Sequence, residues 1–270
     1  MSAPTIIRGT SPLIVSVPHA GIAIPPEIEE HLVSLWRARK DADWWVDRLY
    51  GFADDLGATI IRTAVSRTVI DVNRDPTGKS LYPGQATTEL CPTTTFDGEP
   101  LYKQGHTPDA AEIARRTAEH YRPYHDSIAA EIARLNDLHG CVVLFDAHSI
   151  RSRVPRLFEG ELPHLNFGTY GGASCSPRLT ECLEAIADES SFTRVTDGRF
   201  KGGYITRHYG KPDDGVHAIQ LELAMRSYMS ESDPLSSDNW PAPFDGEHAA
   251  GLQGLLARLL QACIDFRDPS

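Results

Sequence analysis

His19, His148 and Glu222 each stand where an apolar run gives way to polar residues. His19 follows Leu13 to Val17. His148 follows Val142 to Phe145, with Asp146, Ser149 and Arg151 beside it. Glu222 lies near the end of the alternating run from Val216 to Leu223, and Arg67, Asn73 and Arg74 bracket a further run from Thr68 to Val72. Two imidazoles and a carboxylate suffice to hold Zn²⁺ with a coordination position left for water. An arginine pair matches a substrate carboxylate bidentately, and a separate carboxylate can serve as general base. That is the parts list of a metal-dependent hydrolase acting on an anionic amide. Polar clusters at strand ends also arise in binding proteins, so a metal-free binder of acidic metabolites is the competing class. A lone histidine after a strand equally caps a turn.

Side chains at separate points of a chain converge only if the elements carrying them share a sheet. Val142 to Phe145, bounded by Gly140, reads as a strand buried on both faces, the kind that belongs to a parallel sheet. In such α/β sheets, ligands bind outside the carboxyl ends of the strands. The expected strands are Leu13 to Val17, Ala58 to Thr63, Thr68 to Val72, Val142 onward, Val195 to Asp197, Tyr204 to His208 and Val216 to Leu223. Expected helices run from Pro25 to Lys40, from Asp41 to Leu56, from Pro108 to His139 with a break at Pro123, from Pro177 to Ser190 and from His248 to Phe266. Residues 77–107, rich in Gly, Pro and Thr, read as an ordered flap over a site. Residues 152–176 read as a second loop region. No internal repeat or linker divides the chain, so one α/β domain over residues 1–270 is expected.

Composition narrows the function. A formal net charge of −11 over 270 residues, with no Lys/Arg-rich stripe, opposes binding to nucleic acid. No apolar run reaches the roughly 18 residues of a membrane span, and Met1 to Arg8 shows no secretory signal, so the expectation is a cytoplasmic enzyme of a small substrate. Cys91, Cys141, Cys175, Cys182 and Cys263 form no CxxC pair and are expected as free, mostly buried thiols without a catalytic role.

The motifs SVPHAG at 16–21, DADWWVDRLY at 41–50, SRTVIDVNRDP at 66–76, LYPGQATTELCPTTTFDGEPLY at 81–102, LFDAHSIRS at 144–152, GYITRHYGKP at 203–212 and QLELA at 220–224 together resemble the N-formylglutamate amidohydrolase family. The resemblance covers nearly the whole chain. It implies hydrolysis of N-formyl-L-glutamate to L-glutamate and formate, in bacterial histidine degradation, with a related N-acyl amino acid as the alternative substrate. That family is similar in turn to the zinc carboxypeptidases and aspartoacylases, which implies a mixed, mostly parallel sheet flanked by helices and a divalent metal, Zn²⁺ above all. Asn73 and Arg74 resemble the substrate-binding Asn-Arg pair of those enzymes, His148 their late metal histidine, and Glu222 their catalytic glutamate.

One departure concerns the third metal ligand. In those relatives a glutamate follows the first metal histidine by three residues, whereas Ile22 stands at that position after His19. Asp43 is expected to replace it, with Asp47 and Asp41 behind it, although acids at a helix start also favour the helix dipole. Asp146 is read as orienting a metal histidine. Arg67, Arg151 and Arg207 are further candidates for the substrate, against structural ion pairs for Arg151 and Arg207. His208 and His217 read as structural.

Overall fold

A computed structural model describes residues 3–81, 84 and 86–267. Its centre is one seven-stranded sheet, in the order β1-β3-β2-β4-β7-β5-β6. The strands are β1 (Thr5–Ile7), β2 (Leu13–Val17), β3 (Thr59–Arg62), β4 (Val142–Ile150), β5 (Leu165–Gly168), β6 (Arg194–Thr196) and β7 (Val216–Ala224). β3, β2, β4 and β7 run parallel, β1 pairs antiparallel to β3 and β5 antiparallel to β7, and β6 runs parallel to β5. The sheet is therefore mixed and mostly parallel. The helices are α1 (Pro26–Glu29), α2 (Leu35–Arg39), α3 (Val46–Leu49), α4 (Ala110–Arg116), α5 (Arg122–His139), α6 (Pro177–Asp188), α7 (Tyr204–Tyr209) and α8 (Gly246–Asp265). No helix among the described residues is long and apolar enough to cross a membrane.

Side-chain alternation sorts the two faces. Val143, Phe145 and Ala147 of β4 join Ile219, Leu221 and Leu223 of β7 in a core with Leu179 and Leu183 of α6 and Leu252, Leu256 and Leu260 of α8. On the other face Val142, Leu144 and Ala218 pack with Tyr124, Ile128 and Leu135 of α5. Each fully buried Leu or Ile in these layers is worth roughly 1.5–3 kcal/mol relative to exposure. Further along that second face the same alternation delivers Asp146 and His148 from β4 and Gln220 and Glu222 from β7. All four are buried.

Several expected elements take a different form. The central strand does not end at Phe145. β4 continues to Ile150 because β7 pairs with it along its whole length, so His148 and Glu222 are ladder partners inside the sheet rather than residues beyond its rim. Thr68 to Val72 is not a strand. Its backbone turns, with the Val69 N–H donated to Ser66 and the Asp71 N–H to Leu90, and its apolar side chains fill the core without a ladder. Tyr204 to His208 is helical, α7, started by Gly203 N–H donated to Gln220 Oε1 and Ile205 N–H to Asn73 Oδ1. The helix expected from Pro25 to Lys40 splits where Leu32 bridges to Tyr102, and Ser34 caps the new start by accepting from Arg37 N–H. From Asp41 to Leu56 only α3 and a 3₁₀ turn at Gly51–Ala53 are helical, so Asp41 and Asp43 lie in a loop. The long helix widens into a π turn at Thr117–Tyr121, immediately before Pro123, which has no N–H to give. β1 and β5 were not foreseen.

The stretch 77–107 is irregular over its described residues, and Tyr82, Pro83 and Gln85 of the expected flap lie outside them. Gly21, two residues past His19, shows why the first motif ends in glycine. A Cβ there would sit 2.5 Å from the Ala64 carbonyl carbon and 2.6 Å from the Thr63 oxygen, both backbone atoms that cannot swing aside. Gly21→Ala should therefore cost about 1–3 kcal/mol, the usual range for overpacking. Urea unfolding measures this, and an unchanged midpoint would refute the close approach.

Candidate active site

His19 lies just past β2, and its neighbour in space is the Asp43 loop, whose N–H donates to the His19 carbonyl at 3.0 Å. Trp45 reverses the chain after Asp43 with φ 65°, a left-handed conformation that costs a bulky residue about 1–3 kcal/mol. Tertiary bonds hold that turn in place. The Tyr228 hydroxyl donates to the Trp44 carbonyl and pairs with the Ser149 hydroxyl, each at 2.7 Å, and Trp45 Nε1 donates to the Ala242 carbonyl. Ser149 N–H then donates to Asp43 Oδ2 at 3.1 Å, which locks the carboxylate beside β4.

One ligand-type atom from each of His19, Asp43 and His148 lies within 4.8 Å of the other two, and all three residues are buried. Asp43 Oδ2 is 3.6 Å from His19 Nδ1 and 3.2 Å from His148 Nδ1. Each imidazole turns its far nitrogen to another carboxylate. His19 Nε2 donates to Asp71 Oδ1 at 2.7 Å, and His148 Nε2 donates to Asp146 Oδ2 at 2.9 Å. Both Nδ1 atoms converge on Asp43, and with each ring's proton on Nε2 their lone pairs would be free for a cation. His19 Nδ1 and Asp43 Oδ1 are buried without a hydrogen-bond partner. Converging acceptor atoms, imidazoles fixed through their far nitrogens and an orphaned nitrogen are what a divalent cation site requires, so these residues fit such an ion.

Electrostatics support the arrangement. Burial penalises the charge on Asp43, but His19 and His148 outweigh it and hold the carboxyl below the usual range. Burial likewise opposes ionisation of Asp71, and Arg74, His19 and Arg67 overcome it. For His148, burial disfavours the charged ring, yet Asp146 and Asp43 hold its pKa well above the ordinary value. Glu222 goes the other way. Its carboxyl is raised to about 7, first by burial and then by the nearby Asp43 charge, against the pull of His148.

A cavity of about 60 Å³ opens beside the three ligands. His19, Arg67, Asn73, Arg74, His148 and Glu222 all line it. Arg67 gives Nη2 to Asp71 Oδ2 at 2.6 Å, while Arg74 holds the flap through the Thr88 carbonyl and hydroxyl. Asn73 is committed to the frame, with Nδ2 donating to Asp146 Oδ2 and Oδ1 accepting from Ile205 N–H. Gly203 packs against it so closely that a Cβ would fall 2.3 Å from the amide nitrogen.

Four expected candidates stand apart. Arg151 does not line the cavity, because its guanidinium bridges Asp41 at 3.1 Å and Asp97 at 2.9 Å. Arg207 ties the Leu81 and Gly202 carbonyls and lies over Tyr170. Asp47 is half-exposed, 3.9 Å from Arg62, and Asp41 binds Arg151 and the Phe96 N–H, which leaves Asp43 as the acid beside both imidazoles. The sequence reading missed Arg199, which reaches the cavity from the irregular stretch before α7 and donates to the Leu157 and Ala86 carbonyls. It also missed Gln220, whose Nε2 donates to Glu222 Oε2 at 3.3 Å. The alternation of QLEL carried a signal for Gln220, two residues from Glu222 on the same face. Four of the five cysteines are buried and all are free.

Comparison with known proteins gives the family and the fold. The sequence profile of the N-formylglutamate amidohydrolase family matches residues 11–229. An N-formylglutamate deformylase of Pseudomonas putida is 45% identical over 258 residues, 95% of this chain and 94% of that protein. The N-formylglutamate deformylase of Pseudomonas aeruginosa is 50% identical over 230 residues, 85% and 86% of the two chains. The crystal structure of N-formylglutamate amidohydrolase from Ralstonia eutropha superposes with a TM-score of 0.78 over 97% of this chain and 98% of that one, and its 22% identity makes this a likeness of fold. A gene product of Agrobacterium tumefaciens shares the fold at TM-score 0.71, 19% identity and 98% and 95% coverage. This chain belongs to the N-formylglutamate amidohydrolase family.

The outer carboxylates generate a test. Asp146→Asn removes the negative charge and turns one of the two accepting oxygens into a donor, which weakens the hold on the His148 tautomer, and metal affinity should fall by roughly 10–100-fold. Zn²⁺ titration against a competing chelator reads this, and an unchanged affinity would mean that Asp146 does not orient the imidazole.

Proposed function

We propose that this chain hydrolyses N-formyl-L-glutamate to L-glutamate and formate, with a divalent cation, Zn²⁺ above all, held by His19, Asp43 and His148. The whole chain is then one catalytic domain, and the reaction is the step of histidine degradation that the family resemblance implies. The carrying observation is the register of β4 against β7, which sets Glu222 directly across from His148 on the wall of the cavity that His19 and His148 line. When bound, such a cation acidifies water and polarises a carbonyl.

This chain's own groups do the rest. Glu222 takes a proton from the attacking water and returns it to the amide nitrogen as the C–N bond breaks, so glutamate leaves as the amine and the formyl carbon as formate. Gln220 holds the Glu222 carboxylate by its amide. Arg74 and Arg199 offer guanidinium groups to the substrate carboxylates, and Arg67, fixed by Asp71, adds positive field to the same wall. Asn73 keeps Asp146 and the start of α7 in place, so its part in substrate binding is to shape the cavity.

Three measurements test the reading. Stripping divalent metal should abolish formate release from N-formyl-L-glutamate, and adding Zn²⁺ should restore it; full activity in a verified metal-free preparation would sink the proposal. Glu222→Gln should keep its metal yet lose roughly 10²–10⁴ in turnover, as expected for lost general acid and base catalysis. Loss of the metal itself in that variant would put Glu222 in the coordination sphere. Arg74→Lys keeps the charge but not the planar fork, and should raise KM for N-formyl-L-glutamate more than for N-formyl-L-glutamine if it takes the side-chain carboxylate.

A further inference from the structure

The cavity has an apolar wall that the proposed chemistry does not use. Phe96, Ile150, Leu157 and Phe200 line it, and they belong to one cluster with Val154, Leu162 and Ala224. Ile150 follows His148 by two residues on β4, so both side chains leave the same face of the sheet. The Ile150 side chain therefore stands beside the candidate ligand. Phe96 comes from the irregular stretch 77–107, yet it is only 6% exposed.

That ring is held in place from several directions. Phe96 N–H donates to Asp41 Oδ2 at 2.7 Å. The next residue, Asp97, takes Lys40 at 2.6 Å and Arg151 at 2.9 Å, and Arg151 reaches back to Asp41 at 3.1 Å. Lys40 also binds Glu99 at 2.6 Å, and the turn closes with Gly98 N–H on the Thr95 carbonyl and Thr95 N–H on the Glu99 carbonyl. The Arg67 guanidinium lies 4.7 Å from the centre of the Phe96 ring. Lys40 and Arg151 are buried, and ion pairs in such a setting serve position better than they serve net stability.

A formylated amino diacid has a polar and a nonpolar end. Its carboxylates need guanidinium groups and cannot be desolvated against phenylalanine and isoleucine without loss. Its acyl end carries only hydrogen. With the amide held between them, the acyl substituent faces the apolar wall. We propose that Phe96 and Ile150 are specificity-determining residues that admit a formyl hydrogen and exclude acetyl and larger acyl groups. This rests on the functional reading above and adds to it the residues that set the acyl limit. The wall works by refusing volume, and the buried ion network keeps Phe96 from retreating.

One methylene in an apolar pocket changes selectivity by about 10–200-fold. The experiment compares kcat/KM for N-formyl-, N-acetyl- and N-propionyl-L-glutamate on the wild-type holoenzyme and on Phe96→Ala, Ile150→Val and Leu162→Ala, with metal content and unfolding temperature recorded for each. Phe96→Ala should raise the acetyl-to-formyl ratio by about 10–100-fold and Ile150→Val by less. Leu162→Ala, in the same cluster but off the cavity, should leave the ratio unchanged. If Phe96→Ala does not fold, Phe96→Leu takes its place and the same rise is expected at smaller size. A ratio that stays fixed in both wall variants, or rises as much in Leu162→Ala, overturns the wall while leaving formate release intact. Wild-type enzyme that releases no formate overturns the functional reading itself.

Discussion

Four carboxylates, Asp43, Asp71, Asp146 and Glu222, are buried around one small cavity, and what compensates them organises this region of the fold. A buried carboxylate that is neither paired nor hydrogen-bonded is too costly to keep. Arg67 reaches Asp71 and Asp43, Arg74 reaches Asp71, and together they offset about half of the negative charge. Asp146 receives three donors, from Ser16, Asn73 and His148. Asp43 receives the Ser149 N–H, lies 3.6 Å from Arg67 and faces the two Nδ1 atoms. A divalent cation at that point would cancel the remaining charge and satisfy the orphaned nitrogen of His19 together. Glu222, whose carboxyl is raised by burial, is held by the Gln220 amide rather than by an arginine, and it is the group assigned to move protons.

The frame around these charges explains choices that look arbitrary in the sequence. Asn73 cannot be read as a simple substrate ligand once its amide is seen to join Asp146 to the start of α7. Gly203 is small because that amide occupies the place of its side chain. Tyr228, far along the chain, fixes the backbone of Trp44 and the hydroxyl of Ser149, and so sets the distance between the Asp43 loop and β4.

Much of this was legible before any coordinates. The apolar run of β2, the alternation of β7 and the amphipathic patterns of α6 and α8 are local signals, and the structure has all four elements. His19, Asp43, His148 and Glu222 were singled out by residue type and by resemblance, and they do converge. Where β4 ends was misjudged because Asp146 and His148 look like the start of a loop. Their spacing of two already said otherwise, since it continues the face set by Val142 and Leu144. Thr68 to Val72 and Tyr204 to His208 failed for another reason: both are apolar enough for a strand, but no neighbouring strand pairs with them, and Leu90 takes the Asp71 N–H while Asn73 takes that of Ile205. Arg151, Arg199 and Arg207 could not be told apart locally. Which guanidinium faces the cavity depends on the path of the loops, and only tertiary structure supplies that.

The loop Asp41–Ala42–Asp43 joins two properties that need not have been joined. Asp43 faces the imidazoles, while Asp41, two residues earlier, accepts from Phe96 and Arg151 and thereby fixes the apolar wall. Any movement of this loop shifts the candidate ligand and the ring of Phe96 together. An enzyme that is to accept a formyl group and refuse larger acyl groups would gain from that coupling, because the candidate ligand and the proposed wall are then tied to one short segment. The strained turn at Trp45 is consistent with the same demand: a relaxed conformation there would redirect the chain directly after Asp43, and the bonds from Tyr228 and to Ala242 keep it from relaxing.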